Sequence, residues 1–278
     1  MRPSFVVKPG RKTRGPAVTD ARIVVSKDGP YLVSGGLPLR KERSKVGRSG
    51  EPEWWVKGER YSVGKQYGLC RCGRSKTAPF CDGTHSRVGF DGTERASRKT
   101  YAQLAERTEG PTLDLDDVEA LCSSARFCMA GQGTWDLTEG SDHPGKRKKA
   151  VRQAGNCPSG RLVVYDKKTG KPIEPEFEPS LSVTEHPQKG VSGPVWVKGG
   201  VPIVSADGSV YEIRNRVTLC RCGQSRNKPF CDGSHITARF TDGDKSLKRR
   251  RKHRTGNHQL LVRRCNPGYA VGDSRRTS

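Results

Sequence analysis

The chain has 278 residues, 32% of them hydrophobic, with a mean hydropathy of −0.77 and a formal net charge of +23. That is room for one large domain or two to three small ones with thin apolar cores, and no segment reaches the ~18 consecutive apolar residues of a membrane helix. With 33 glycines and 18 prolines, many turns and few long helices are predicted, and loop-rich units of this kind use disulfides or metals as staples.

The head, MRPSFVVKPGRKTRG, lacks the continuous apolar stretch of a secretory signal. Ten cysteines without such a signal point to reduced, metal-ligating thiols in a soluble cytoplasmic protein, not to a disulfide framework. The head is also basic and acid-free, as a mitochondrial transit peptide would be. It carries little Ser and no amphipathic stripe, so the mitochondrial matrix is the alternative compartment. Residues 1–20 read as a flexible basic N-terminus.

A first unit is expected over 21–109. GPYLVSGGLPL, Gly29 to Leu39, reads as two short strands joined by a glycine turn. RKERSKVGRSGEPEWW, Arg40 to Trp55, reads as a polar surface loop. YSVGKQYGLCRCG (61–73) leads into LCRCGRSKTAPFCDGTH (69–85). An insert follows over 110–182. LDLDDVEALCSSARFC (113–128) is predicted as a short helix capped by Asp114 or Asp116. GKRKKAVRQAG (145–155) is predicted as a second helix closed by glycine, RLVVYDKKTGKPI (161–173) as strand, turn and strand, and EPEFEPS (174–180) as a proline-rich linker.

The chain then repeats itself, which defines a second unit over 183–243. GPVWVKGGVPI (193–203) echoes 29–39, YEIRNRVTLCRCG (211–223) echoes 61–73, and LCRCGQSRNKPFCDGSH (219–235) echoes 69–85; Phe240 follows as Phe90 did. The offset falls from 164 at the strand pair to 150 at the cysteines, so the first copy carries extra residues, assigned to Arg40–Trp55. Two copies of one unit predict a pseudo-twofold arrangement within one chain. The fold class expected is α+β and β-rich. Residues 244–278 form a basic tail, read as disordered. KSLKRRRKHR (245–254) concentrates the charge there, with Lys8, Arg11, Lys12 and Arg14 at the other end. No aromatic platform interleaves with these runs, so nucleic-acid contact is expected only nonspecifically, through the tail.

Cys70, Cys72, Cys81 and His85 are one candidate ligand set, and Cys220, Cys222, Cys231 and His235 the other. The four-residue step from Cys81 to His85 puts both on one side of a helix that begins at the CDG turn with Asp82 as its cap. Cys70 and Cys72 sit at a strand end with Arg71 pointing the other way, and Gly73 lets the backbone turn. Structural zinc accepts three Cys and one His, but its pairs are usually spaced by two to four residues. A 2Fe–2S cluster has two irons that each need two protein ligands, and the Cys–Cys and Cys–His pairs fit that division.

The pattern C-x-C-x₂-S-x₃-P-x-C-D-G-[ST]-H resembles the signature of the CDGSH iron–sulfur family, of the mitoNEET type, and both copies match it, Ser75 with Pro79 and Ser225 with Pro229 included. The resemblance implies one 2Fe–2S cluster per quartet and a small β-rich fold with a short helix after the third cysteine. Animal relatives with one motif form homodimers, so two motifs in one chain imply a monomeric pseudo-dimer, here without a membrane anchor.

Cys122, Cys128 and Cys157 remain in the insert. With CSSARFC and CPSGRL they look like a divergent ferredoxin segment in which Ala125 replaces one cysteine, covering roughly Leu113 to Val164. Three thiolates suit a 3Fe–4S cluster, or a 4Fe–4S cluster completed by water or another side chain; the alternative is that they are buried small apolar residues. His143 reads as an exposed loop residue, Cys265, His253 and His258 as tail residues without a site, and Trp54, Trp55 and Trp196 as strand packing.

No nucleophile elbow, phosphate loop or dinucleotide fingerprint is present, so an enzyme is not expected. The expected function is electron transfer to a redox protein partner, with proton coupling at His85 and His235. Cluster storage or transfer to an apo iron–sulfur acceptor is the alternative. A zinc-stapled nucleic-acid adaptor is the third reading.

Overall fold

The computed structural model describes residues 21–247. The expectations for 1–20, for 248–278 and for Cys265, His253 and His258 lie outside them. Thirteen strands are arranged in three sheets among the described residues. In chain order they are β1 (Arg22–Val25), β2 (Tyr31–Ser34), β3 (Leu39–Val46), β4 (Pro52–Tyr61), β5 (Gln66–Leu69), β6 (Glu106–Glu109), β7 (Leu113–Asp117), β8 (Leu162–Asp166), β9 (Pro172–Ile173), β10 (Ser180–His186), β11 (Val191–Lys198), β12 (Ile203–Val204) and β13 (Arg216–Leu219). The helices are short: α1 (Thr84–Arg87), α2 (Tyr101–Leu104), α3 (Thr134–Glu139), α4 (Pro144–Gly155) and α5 (Ser234–Thr237). The expected β-rich α+β class is found.

The repeated Gly–Gly pairs explain the architecture. Gly35, Gly36, Gly199 and Gly200 all have positive φ, which glycine adopts without strain. The chain turns there without folding back on itself, so the two strands on either side do not pair as a hairpin. Each corner instead hands the chain to another sheet. β2 lies in the order β12-β1-β2-β5 and β3 in the order β13-β11-β10-β3-β4, while β11 and β12 make the opposite transfer. The exchange is reciprocal: β1 pairs in parallel with β12 (Ile23 opposite Ile203), and β3 with β10 (Leu39 opposite Leu181). One apolar cluster takes Ile23, Tyr31, Val33 and Leu69 from the first sheet and Leu39, Leu181, Val195 and Leu219 from the second. The thin core is therefore shared between the two halves of the sequence.

Three expectations are corrected. Arg40–Trp55 is not a loop: β3 and β4 form a long antiparallel hairpin at the edge of the five-stranded sheet. Its polar residues lie on both faces, with Glu42 and Ser44 buried and Lys45 and Lys57 exposed; Trp54 is 44% exposed while Trp55 stacks near Phe127 and Trp196. Leu113–Cys128 is not a helix: β7 occupies Leu113–Asp117, followed by single 3₁₀ turns at Glu119–Leu121 and Phe127–Met129. The alternation L-D-L-D has strand period, with Leu113 and Leu115 buried and Asp114 less so. Finally, Asp244 to Leu247, placed in the tail, pack on the body: Lys245–Leu247 is a 3₁₀ turn, Leu247 is buried, and Asp244 pairs with Lys41.

The other insert elements are where the spacing puts them. α4 ends at Gly155, and His143 is exposed at its N-cap, where its Nδ1 accepts from the Gly145 amide. β8 and β9 are the strand pair of Arg161–Ile173. The sheet order β6-β7-β8-β9 packs against α3 and α4 through Leu115, Leu162 and Ala154.

Candidate metal centres

Each motif residue has a visible structural task, and both copies perform it alike. The strand before each loop ends at Leu69 or Leu219. The Cys70 amide then donates to the Pro79 carbonyl at 2.8 Å, and Cys220 to Pro229 at 2.8 Å. Ser75 Oγ donates to the Phe80 carbonyl (2.6 Å) and Ser225 Oγ to that of Phe230 (2.7 Å). The aspartate clamps the loop: Asp82 accepts from the Lys76 and Thr84 amides (2.9 and 3.0 Å), and Asp232 from those of Arg226 and Ser234 (2.9 and 3.0 Å). These bonds hold the Asp82 carboxyl well below the usual carboxylate range, the Lys76 amide most of all. Gly83 and Gly233 are the N-cap residues of α1 and α5, both with positive φ. The aspartate caps from one residue further back than the spacing predicts.

The four donors of each quartet fall into two pairs. Cys70 Sγ and Cys72 Sγ are 3.7 Å apart, and Cys220 Sγ and Cys222 Sγ 3.8 Å. Two sulfurs bound at ~2.3 Å to one tetrahedral ion are about 3.8 Å apart. A one-residue gap is thus no obstacle to both thiols sharing one ion. Cys81 Sγ lies 3.3 Å from His85 Nδ1, and Cys231 Sγ 3.4 Å from His235 Nδ1. Among the described residues no group of three or more His, Cys, Asp or Glu side chains is placed to hold a single ion. Backbone amides aim at the sulfurs, from Gly83 to Cys81 (3.5 Å), Gly233 to Cys231 (3.4 Å) and Gln224 to Cys222 (3.4 Å), as a thiolate-bound anionic group requires. Burial meanwhile pushes the Cys72 thiol up to about 11 and Cys231 well above its usual value. Thiolate in such a place needs a cation to compensate it. The donor set and its spacing fit a pair of bridged irons.

The two loops touch. Gly73 has φ +72°, and a side chain there would also strike the second loop: a β-carbon would stand 2.5 Å from the Cys222 carbonyl oxygen. Gly223 stands in the same relation to Cys72, at 2.6 Å.

Their surroundings differ. The residue between the first two cysteines does point away from the site, but inward. Arg71 donates to the carbonyls of Ser26 (3.1 Å) and Gly92. Arg221 donates to the Gly193 and Thr184 carbonyls and pairs with Glu185 (2.8 Å) and Asp242 (2.7 Å). Tyr31, from the first half of the chain, donates its hydroxyl to the carbonyls of Cys220 (2.8 Å) and Pro229 (3.0 Å) and so braces the second loop. His85 is partly exposed, whereas His235 is 1% exposed and stacks on His186 with ring centroids 5.8 Å apart. Burial, with Arg221 and Lys189 nearby, holds the His235 imidazole down to about 3. None of Arg71, Arg221, Tyr31 or His186 was a candidate from spacing. The repeated CRC tripeptide could have flagged the arginines. His186 has no counterpart in the first copy, because the β1–β2 hairpin closes at Val25–Tyr31 while β10–β11 runs on to His186–Val191.

Among the described residues Cys122, Cys128 and Cys157 do not form a group placed to hold a metal ion. Cys128 and Cys157 pack against the same apolar cluster. Cys122 lies beside Arg161 and within electrostatic reach of Cys157. Burial pushes its thiol up and Arg161 opposes this. Arg161 pairs with Asp117 and remains a cation.

Comparison with known families finds iron-binding matches that span both thiol–imidazole quartets. The description "iron-binding zinc finger CDGSH type" matches residues 28–86 and 192–236, and "divergent 4Fe-4S mono-cluster" matches 108–167. The chain carries two CDGSH-type iron-binding segments with a divergent 4Fe-4S segment between them. No curated protein and no solved structure matches it. Among the described residues no helix is long and apolar enough to cross a membrane.

Proposed function

We propose that the chain is a non-enzymatic one-electron carrier that holds two 2Fe–2S clusters, one on Cys70, Cys72, Cys81 and His85 and one on Cys220, Cys222, Cys231 and His235. The observation that carries this is the division of each quartet into a Cys–Cys and a Cys–His pair at 3.3–3.8 Å, which supplies two ligands to each of two irons. When bound, the clusters supply the redox chemistry, and the chain orients the ligands, shields the sulfurs and donates amide hydrogen bonds to them. Cys122, Cys128 and Cys157 would hold a further cluster, 3Fe–4S or 4Fe–4S.

The reciprocal pairing of β1 with β12 and of β3 with β10 supports a pseudo-twofold relation between units over 21–109 and 183–243, with the insert over 110–182 docked on them. The chain then works as a monomeric pseudo-dimer. The partner would be a redox protein approaching the first quartet, where His85 is partly exposed.

A redox titration followed by visible absorbance tests this. Reversible reduction and reoxidation with the clusters retained is expected, also when the protein is incubated with an apo-ferredoxin. Transfer of iron and sulfide to that acceptor would replace the carrier reading with cluster donation.

A further inference from the structure

Where the insert docks on the five-stranded sheet, β3, β4 and β11, the end of α4 and the linker after β9 border a cavity of about 770 Å³. That is ample for a small organic molecule. One wall is aromatic. Trp196 is buried, with Trp55 on one side (ring centroids 5.1 Å apart) and Phe177 on the other (5.6 Å), and these two are partly exposed. The wall is held in place: Trp55 Nε1 donates to the Asn156 carbonyl at 3.0 Å, and Asn156 Nδ2 to the Glu53 carbonyl at 3.0 Å. The other wall is cationic. Arg40 stands directly opposite Arg60 across the β3–β4 ladder, so two like charges share one face and repel. Both line the cavity, as does Lys57. Arg40 and Lys57 also repel the charge of Lys198, whose Nζ lies 4.4 Å from the Trp196 ring centroid. The nearby carboxylates are committed elsewhere: Glu42 to Lys198 and Ser182, Glu174 to Arg216, and Glu53 to Arg152. Glu176 and Glu178 of the linker are exposed and pair with none of the three. Among the described residues Arg40, Lys57 and Arg60 therefore have no carboxylate partner.

We propose that this cavity is a binding site for a small molecule that joins a planar aromatic ring to an oxyanion, a carboxylate or a phosphate. The ring lies against Trp55 and Phe177. The oxyanion accepts hydrogen bonds from the guanidinium groups of Arg40 and Arg60, and Lys57 adds charge. A planar guanidinium presents paired donors to such a group, and an anion between the two arginines turns their repulsion into a shared attraction. The aromatic wall alone would accept any apolar body; the uncompensated arginines select one that carries negative charge. No covalent step is involved, and the site is independent of any metal on the cysteines.

Isothermal titration calorimetry on the full chain tests this at one fixed salt concentration. Adenosine monophosphate and naphthoate are each compared with their parts, adenosine and inorganic phosphate for the first and acetate for the second. At least one of the two aromatic anions is expected to bind about tenfold or more tightly than its parts, and the tighter of the two identifies the oxyanion as phosphate or carboxylate. Arg60→Gln is the deciding variant, because Arg60 is exposed and its removal relieves the repulsion with Arg40. The variant should keep or raise the urea midpoint of the ligand-free protein, yet bind the aromatic anion about tenfold more weakly. Phe177→Ala should weaken the aromatic anion and leave inorganic phosphate unchanged. Equal affinity in the Arg60 variant and the unaltered chain overturns the site, since other basic residues would then be the ones that bind. A lowered midpoint in that variant overturns the repulsion that gives the anion its place. Inorganic phosphate or acetate binding as tightly as the aromatic anion that contains it overturns the role of the rings, and no binding of either aromatic anion overturns the proposal outright.

Discussion

The two CDGSH loops share one hydrogen-bond scheme yet live in different surroundings. Around the first, Gly83 faces open space and His85 is partly exposed. Around the second, Gly233 lies against the insert, His235 is sealed beneath His186, and Tyr31 ties down the Cys220 and Pro229 carbonyls. A motif therefore dictates ligand geometry, while the sequence outside it decides how much water, and how large a partner, the ligands can meet. One chain with two unequal sites can do what a symmetric pair cannot: give one site to the interior and the other to the surface.

The largest difference concerns the two arginines. Arg221 neutralises two buried carboxylates, whereas Arg71 bonds to carbonyls. Arg221→Met leaves Glu185 and Asp242 buried without a cation and is expected to destabilise the fold by about 3–5 kcal/mol. Arg71→Met is expected to cost about 1–3 kcal/mol. Urea unfolding of the two variants by circular dichroism measures both; equal losses would mean that the buried ion pairs do not distinguish the halves. The Arg221 deficit should also depend on pH. Burial already pushes the Glu185 carboxyl up and Arg221 opposes it. Without the arginine the folded-state value rises further above the unfolded one, so the native state retains a proton that the unfolded state releases. The deficit should accordingly be small in acid and grow as pH rises from the folded-state value of the intact protein to the higher one of the variant. A deficit that shrinks with rising pH would reverse this assignment.

The second contrast is in solvent access. Exposed to a chelator, the visible absorbance should fall in two phases, the faster from the first site. Acid should speed the first phase more than the second, because His85 is partly exposed and His235 is buried. His85→Cys should remove most of the pH dependence of the potentials, and His235→Cys should leave it while lowering one potential. Loss of the pH slope in the His235 variant alone would place the accessible imidazole at the other site. The smallest expected effect is that of Tyr31→Phe, which removes one hydroxyl from two buried carbonyls. About 1–2 kcal/mol of stability should be lost, with the slow chelation phase accelerated and the fast one unchanged.

The sequence reading reached the parts that are local. Ligand spacing, the turn glycines, α4 and the strand pair around residue 165 all depend on neighbours within a few residues, and they read directly. The β-branched and aromatic runs beside the Gly–Gly pairs read as strands, but not their exchange between sheets, because pairing partners lie up to 180 residues apart. Arg40–Trp55 misled because an edge hairpin exposed to water has the composition of a loop. The LDLDD stretch misled because an aspartate before an apolar run resembles a helix cap, while its alternation belongs to a strand. The unequal burial of the two histidines could not be read from two near-identical motifs: it comes from a longer β10–β11 hairpin and from an insert whose docking face is Ser124.

Counting metals and inorganic sulfur per chain in freshly purified protein probes the claim on which the rest depends. The account predicts about two irons and two sulfides for each quartet, with anything above about four irons belonging to Cys122, Cys128 and Cys157. One zinc per quartet with no acid-labile sulfide would contradict it.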